Sequence, residues 1–171
     1  MKYRLTEETI QIGGHILHRI ECVTAFAHVK VGDKGGWIES EANLSQYGDA
    51  WVYGDARVYD DAKVYGNAWV CGDAKVYGNA KVCDSAEVYG NAEVCGDAKV
   101  CDNADYIVFK NWWSSGRYYT WTRSNNKWRV GCFYGTGEEL IAKAYKDSEV
   151  SGREYQRVVD YVNSILQEGK I

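Results

Sequence analysis

The side chains able to do chemistry are unevenly spread along the 171-residue chain. Its three histidines, His15, His18 and His28, all precede residue 30, and its six cysteines stand at 22, 71, 83, 95, 101 and 132. Imidazole is the usual general base near neutral pH, and thiolate the usual nucleophile or soft metal ligand. No Cys-x-x-Cys pair occurs, and no GxGxxG, P-loop, Gx-Ser-xG or HExxH pattern. The densest chemistry lies in residues 106–137, which hold ten aromatics, five cations and no acidic residue. Aromatic faces stack bases and guanidinium groups grip phosphates. Trp112, Trp113, Arg117, Tyr119, Trp121, Arg123 and Arg129 are therefore the candidate ligand or partner site. The alternative is that alternate aromatics of a small sheet pack under helices, with Arg and Lys on the wet side.

Charge is partitioned in the same way. The overall −4 combines a neutral segment 1–40, a segment 41–105 at −7, and a segment 106–171 at +3. An apolar fraction of 46% and an aromatic fraction of 14% fit a folded chain. No apolar run approaches the roughly 20 residues of a membrane helix, so solubility is expected. The opening MKYRLTEETIQ lacks the apolar core of a secretion signal, which points to a reducing cytosol and free thiols.

A strict repeat must position the chemistry. Val recurs every six residues from 52 to 100, and Ala every six from 50 to 104, in units such as Ala74-Lys75-Val76-Tyr77-Gly78-Asn79. Along an extended chain Ala and Val, two apart, face one side, while Gly with Asp or Asn forms a turn. Each unit is then one short strand and one corner, and three units close a coil of eighteen residues. Residues 49–104 make about three coils with a thin Val and Ala core. Stacking the coils yields three faces, headed by Trp51, Trp69 and Glu87, by Arg57, Lys75 and Glu93, and by Lys63, Lys81 and Lys99. Trp51 and Trp69, with Tyr53 and Tyr89 beside them, are expected as an exposed interaction or oligomerisation face, or as aromatic cladding on the core. The stacked corner Asp and Asn residues are expected to serve turn formation. Cys83 and Cys101 share one column, as neighbouring free thiols between which a disulfide is geometrically conceivable but disfavoured in a reducing compartment, whereas Cys71 and Cys95 lie on the other two faces, so no tetrahedral zinc set forms.

Ten consecutive units of this kind resemble the left-handed parallel β-helix of hexapeptide-repeat proteins, and the left hand is an implication of that resemblance. Lys2-Tyr3-Arg4-Leu5, Val23-Thr24, Gly35-Gly36-Trp37 and Leu44-Ser45-Gln46 further resemble the openings of YdcK-like bacterial and phage proteins, a group with no activity to carry over. Enzymes of the wider family are CoA-dependent acyltransferases, typically trimers with a catalytic His between prisms, and zinc carbonic anhydrases. All three histidines here precede the repeats, so neither chemistry is expected, and His15 and His18 are read as solvent-facing residues of a hairpin.

The flanks complete the plan. Residues 1–45 form a β-rich N-terminal cap with a hairpin at Gly13-Gly14, residues 46–105 the β-helix, and residues 106–171 a C-terminal α+β module. In that module, strands 117–123 and 127–133 meet at Ser124-Asn125-Asn126. Capping boxes at Thr136/Glu139 and Ser151/Glu154 open two helices, the second with an apolar stripe from Tyr155 to Leu166. The expectation is a mainly β, cytoplasmic, non-enzymatic binding protein with no metal or cofactor. It is a dimer or trimer that binds or sequesters a host protein complex or a nucleotide-type ligand, including anti-defence activity for a phage-derived protein. A CoA-dependent acyltransferase or its degenerate relative, and a self-assembling scaffold, are the alternatives.

Overall fold

The computed structural model describes residues 1–169, and it is mainly β with two helices near its C-terminal end. It comprises two compact units, residues 1–103 and the segment from Ala104 onward.

The first unit begins with a hairpin of β1 (Tyr3–Ile12) and β2 (His15–Cys22), turned at Gly13 and Gly14, and β3 (Lys34–Ile38) pairs antiparallel with β2. Nine strands of two residues follow. They are β4 (Trp51–Val52), β5 (Arg57–Val58), β6 (Lys63–Val64), β7 (Trp69–Val70), β8 (Lys75–Val76), β9 (Lys81–Val82), β10 (Glu87–Val88), β11 (Glu93–Val94) and β12 (Lys99–Val100). They stack in parallel as β4-β7-β10, β5-β8-β11 and β6-β9-β12, which reproduces the three columns drawn from the repeat. Every Ala and Val of the repeat from Ala50 to Val100 is buried. Burying a Val side chain contributes about 1.5–3 kcal/mol, and the stacked layers share main-chain bonds such as Trp51 N–H to Ala68 O at 3.0 Å.

The β-solenoid has about four turns, one more than the strict repeat implies. The extra layer comes from the segment read as cap: Ile38 pairs with Val58, and Leu44 bridges to Val64. These partners are 20 residues apart, whereas Val52 pairs with Val70, 18 apart. Ile38 and Leu44 thus keep the six-residue step, but two extra residues lie between Leu44 and Val52 and break the period. The antiparallel hairpin continues one side of the solenoid as the six-stranded sheet β1-β2-β3-β5-β8-β11.

Side chains from the first forty-odd residues close the other upper edges. The Lys2 ammonium donates to Ala50 O at 2.7 Å and to Gly48 O at 3.2 Å. Asn43, fully buried, donates its amide to Asp60 O and Ala62 O, each at 2.9 Å. Carbonyls at a sheet end that no further strand can pair would otherwise be left unsatisfied.

Cys83 and Cys101 stand side by side on successive turns, with Cα atoms 4.5 Å apart and their sulfurs placed where a disulfide can form. One full turn carries a residue to its own column at the interstrand spacing, so the two sulfurs are brought together by the repeat itself.

The second unit is a four-stranded antiparallel meander of β13 (Tyr106–Lys110), β14 (Tyr118–Thr122), β15 (Lys127–Val130) and β16 (Phe133–Gly135). The helices α1 (Gly137–Asp147) and α2 (Glu149–Gln167) follow. Thr136 caps α1 in a reciprocal box with Glu139. The second cap is Ser148, whose hydroxyl accepts from Ser151 N–H, so α2 starts three residues before the position expected from Ser151 and Glu154. Two more strands than expected complete the sheet. Tyr119, Trp121 and Trp128 pack with Leu140, Ala144, Tyr155, Val159 and Val162 into one core.

Candidate functional site

The seven aromatic and basic residues of the second unit separate into core and surface. Tyr119 and Trp121 alternate on β14 and are 2% and 0% exposed, so neither can stack on a ligand. Tyr119 lies 5.5 Å from Phe109 and 5.4 Å from Tyr155 between ring centroids, and burial pushes its phenol above the ordinary tyrosine range. Trp121 Nε1–H donates to Asn126 Oδ1 at 2.8 Å, fixing the β14–β15 turn. Arg123 stands at the far end of β14 from Arg117, six residues or roughly 20 Å away along an extended strand, and lies beside Asp105. Arg129 is half-buried and paired in register with Thr120, a residue that alternates with Trp121 along β14. Arg117 and Arg123, at opposite ends of the strand, do not converge on one small ligand.

The surface part is the connection between β13 and β14. Trp112 is 73% exposed, and Arg117 is exposed at the other side of the same short loop. The loop is tightly held. Asn111, buried, accepts at Oδ1 from Ser114 N–H at 2.9 Å and Ser114 Oγ–H at 3.0 Å, and its own N–H donates to Arg117 O at 2.8 Å. The Asn111 amide also donates to the Tyr155 hydroxyl at 3.2 Å. Trp113 turns inward, donating Nε1–H to Ser151 Oγ at 3.3 Å and meeting Tyr155 edge-on at 4.9 Å. Trp112 stands at right angles to Trp113, 5.9 Å between centroids, and Lys110 lies over the Tyr118 ring at the loop's base. The tip therefore offers a large aromatic, a guanidinium and a partly exposed phenol on a backbone with little freedom to lose on binding.

The solenoid face expected to be exposed is covered at Trp51, Tyr53 and Trp69 and open at Tyr89. Trp51 is fully buried, because Phe26 and Tyr3 meet it edge-on at 5.4 and 6.1 Å. Trp69 is half-buried, with His28 4.4 Å from it and its Nε1–H donating to Asp49 O at 3.2 Å. Tyr53 OH and His28 Nε2 share a hydrogen bond of 2.7 Å. Tyr89 is 59% exposed. The loop 24–33 thus clads this column, which no local pattern in those residues announces.

Nor are the histidines free solvent-facing groups. His18 Nδ1 bonds Thr6 O at 3.1 Å, and His15 lies between two carboxylates, Glu39 and Asp60. The hydrogen bond that His15 donates to Glu39 holds His15 above the ordinary histidine range, and the same bond holds Glu39 below the ordinary carboxylate range. Sequence reasoning missed this group because its members are 21 and 24 residues apart and share no motif.

No helix among the described residues is long and apolar enough to cross a membrane. Compared with known proteins, the chain matches no family model and no curated protein.

Proposed function

We propose that this protein is a non-enzymatic binding protein in which a hexapeptide-type solenoid, left-handed and akin to the YdcK-like group, accompanies a small module that engages a partner through the β13–β14 tip. The observation that carries this reading is Trp112, a 73% exposed indole on a loop pinned by Asn111. Rigidly held, exposed Trp and Arg are the residue types that dominate binding energy at interfaces. The partner is a host protein complex or a nucleotide-type ligand inside a bacterial cell, bound or sequestered by a phage-derived, anti-defence protein that forms a dimer or trimer.

The test compares wild-type protein with Trp112→Ala and Arg117→Glu in affinity capture from bacterial lysate, with bound proteins and small molecules identified by mass spectrometry. A single dominant partner is expected, weakened at least about thirtyfold by Trp112→Ala. Equal capture by both variants removes the tip from the function. Heat on titration with acetyl-CoA would instead support an acyltransferase. Native mass spectrometry of the same samples reads the oligomer number.

A further inference from the structure

His15, Glu39 and Asp60 come from three parts of the first unit. His15 is the first residue of β2 after the hairpin turn, Glu39 follows β3, and Asp60 stands at the corner after β5. His15 Nδ1 lies 3.0 Å from Glu39 Oε1, and His15 Nε2 lies 3.3 Å from Asp60 Oδ1. Each carboxylate is held by its second oxygen. Glu39 Oε2 accepts from Asp60 N–H at 2.8 Å, and Asp60 Oδ2 accepts from Gly78 N–H at 3.0 Å. All three side chains are about one-third exposed, so water and ions reach them. Asp60 takes a left-handed φ of 56°, at a corner position that glycine fills in most other units, and it thereby keeps a carboxylate there.

We propose that this group is a binding site for a divalent transition-metal ion of the zinc class, ligated by His15 Nε2 and Asp60 Oδ1. Neighbouring ligands on an ion with bonds of about 2.0–2.1 Å lie about 3 Å apart, close to the Nε2 to Oδ1 separation. Glu39 is a positioning residue: it accepts the Nδ1–H and so presents Nε2 to the ion, as carboxylates behind metal-bound histidines do. Imidazole with carboxylate suits zinc, nickel or manganese better than calcium, which prefers an all-oxygen shell. Water completes the shell, because the site opens to solvent. The ion takes the place of the proton that Nε2 otherwise shares with Asp60, and it links the hairpin to a solenoid corner.

The experiment is calorimetric titration of zinc chloride into the full chain carrying Cys132→Ser, which removes the exposed free thiol as a competing ligand. Uptake of one ion is expected, weakened at least about tenfold by His15→Ala and by Asp60→Asn, and about tenfold by Glu39→Gln. Asp61→Asn, an exposed neighbour at the same corner, is expected to leave uptake unchanged. Asn tolerates the left-handed backbone and still accepts from Gly78, so Asp60→Asn separates loss of a ligand from loss of the fold. Imidazole nitrogen NMR provides the second readout, with zinc shifting Nε2 of His15 and leaving Nδ1–H in place. No uptake by the parent protein, uptake unaffected by His15→Ala, or a zinc-induced shift at Nδ1 in place of Nε2 overturns the assignment.

Discussion

Two residues show how single side chains set the behaviour of the solenoid. Gly66 has φ of 72°, and a Cβ placed on it would meet the backbone nitrogen of Asp84 at 2.9 Å, whereas a Cβ on Gly90, with φ of 67°, would meet nothing. Gly90→Ala is expected to cost only the left-handed strain of about 1–2 kcal/mol. Gly66→Ala must in addition push two layers apart, so chemical denaturation should show the larger loss there. Lys2 is buried against two carbonyls, and desolvation pulls its ammonium from 10.5 down to about 8. Between those values the unfolded chain holds a proton that the folded chain has released, so stability from this group rises with pH from about 8 to 10.5. The unfolding free energy of wild type minus that of Lys2→Met should climb across that window, and a flat difference would remove Lys2 from the pH response. The repeat pattern exposes the glycine corners directly, because period six names each of them. It is silent about Lys2, whose partners are 46 and 48 residues away.

At the scale of elements, the solenoid depends on how its open edges are closed. Asn43 satisfies Asp60 O and Ala62 O, two carbonyls that no strand above them pairs. Asn43→Ala is expected to destabilise by about 1–3 kcal/mol, the cost of leaving buried polar groups unpaired, with hydrogen exchange rising first at the upper turn. An unchanged midpoint in urea would show that water replaces the amide. The first turn was hidden from periodicity by the two residues added between Leu44 and Val52. In the second unit, β13 shows no alternation of apolar and polar residues along Tyr106 to Phe109, and β16 is only three residues long, so neither carries a clear strand signal. The start of α2 was misplaced because Ser148 and Ser151 both satisfy the local rule for a cap, and the hydroxyl that accepts is that of Ser148.

At the scale of the whole molecule, two units with separate cores follow one another in the chain. Trp121→Ala removes a fully buried indole from the second core and is expected to cost about 3–5 kcal/mol. Hydrogen exchange should then accelerate in β13 to α2 while amides of the inner turn, such as Tyr77, stay protected. Equal acceleration in both would mean that the units unfold together. The acidic middle and basic end of the chain follow this division, which is why the net charge of −4 conceals more than it tells. The sequence by itself determined the repeating strand and corner, the three columns, the Val and Ala core and the opening of α1. Each of these is a local periodicity or a cap that the chain must obey wherever it lies. Only the tertiary structure decided that Trp51 is covered, that Tyr119 and Trp121 are core while Trp112 is exposed, and that His15 meets Glu39 and Asp60. Those outcomes depend on which distant segment arrives at a surface, and the order of residues along one strand or loop does not contain that information.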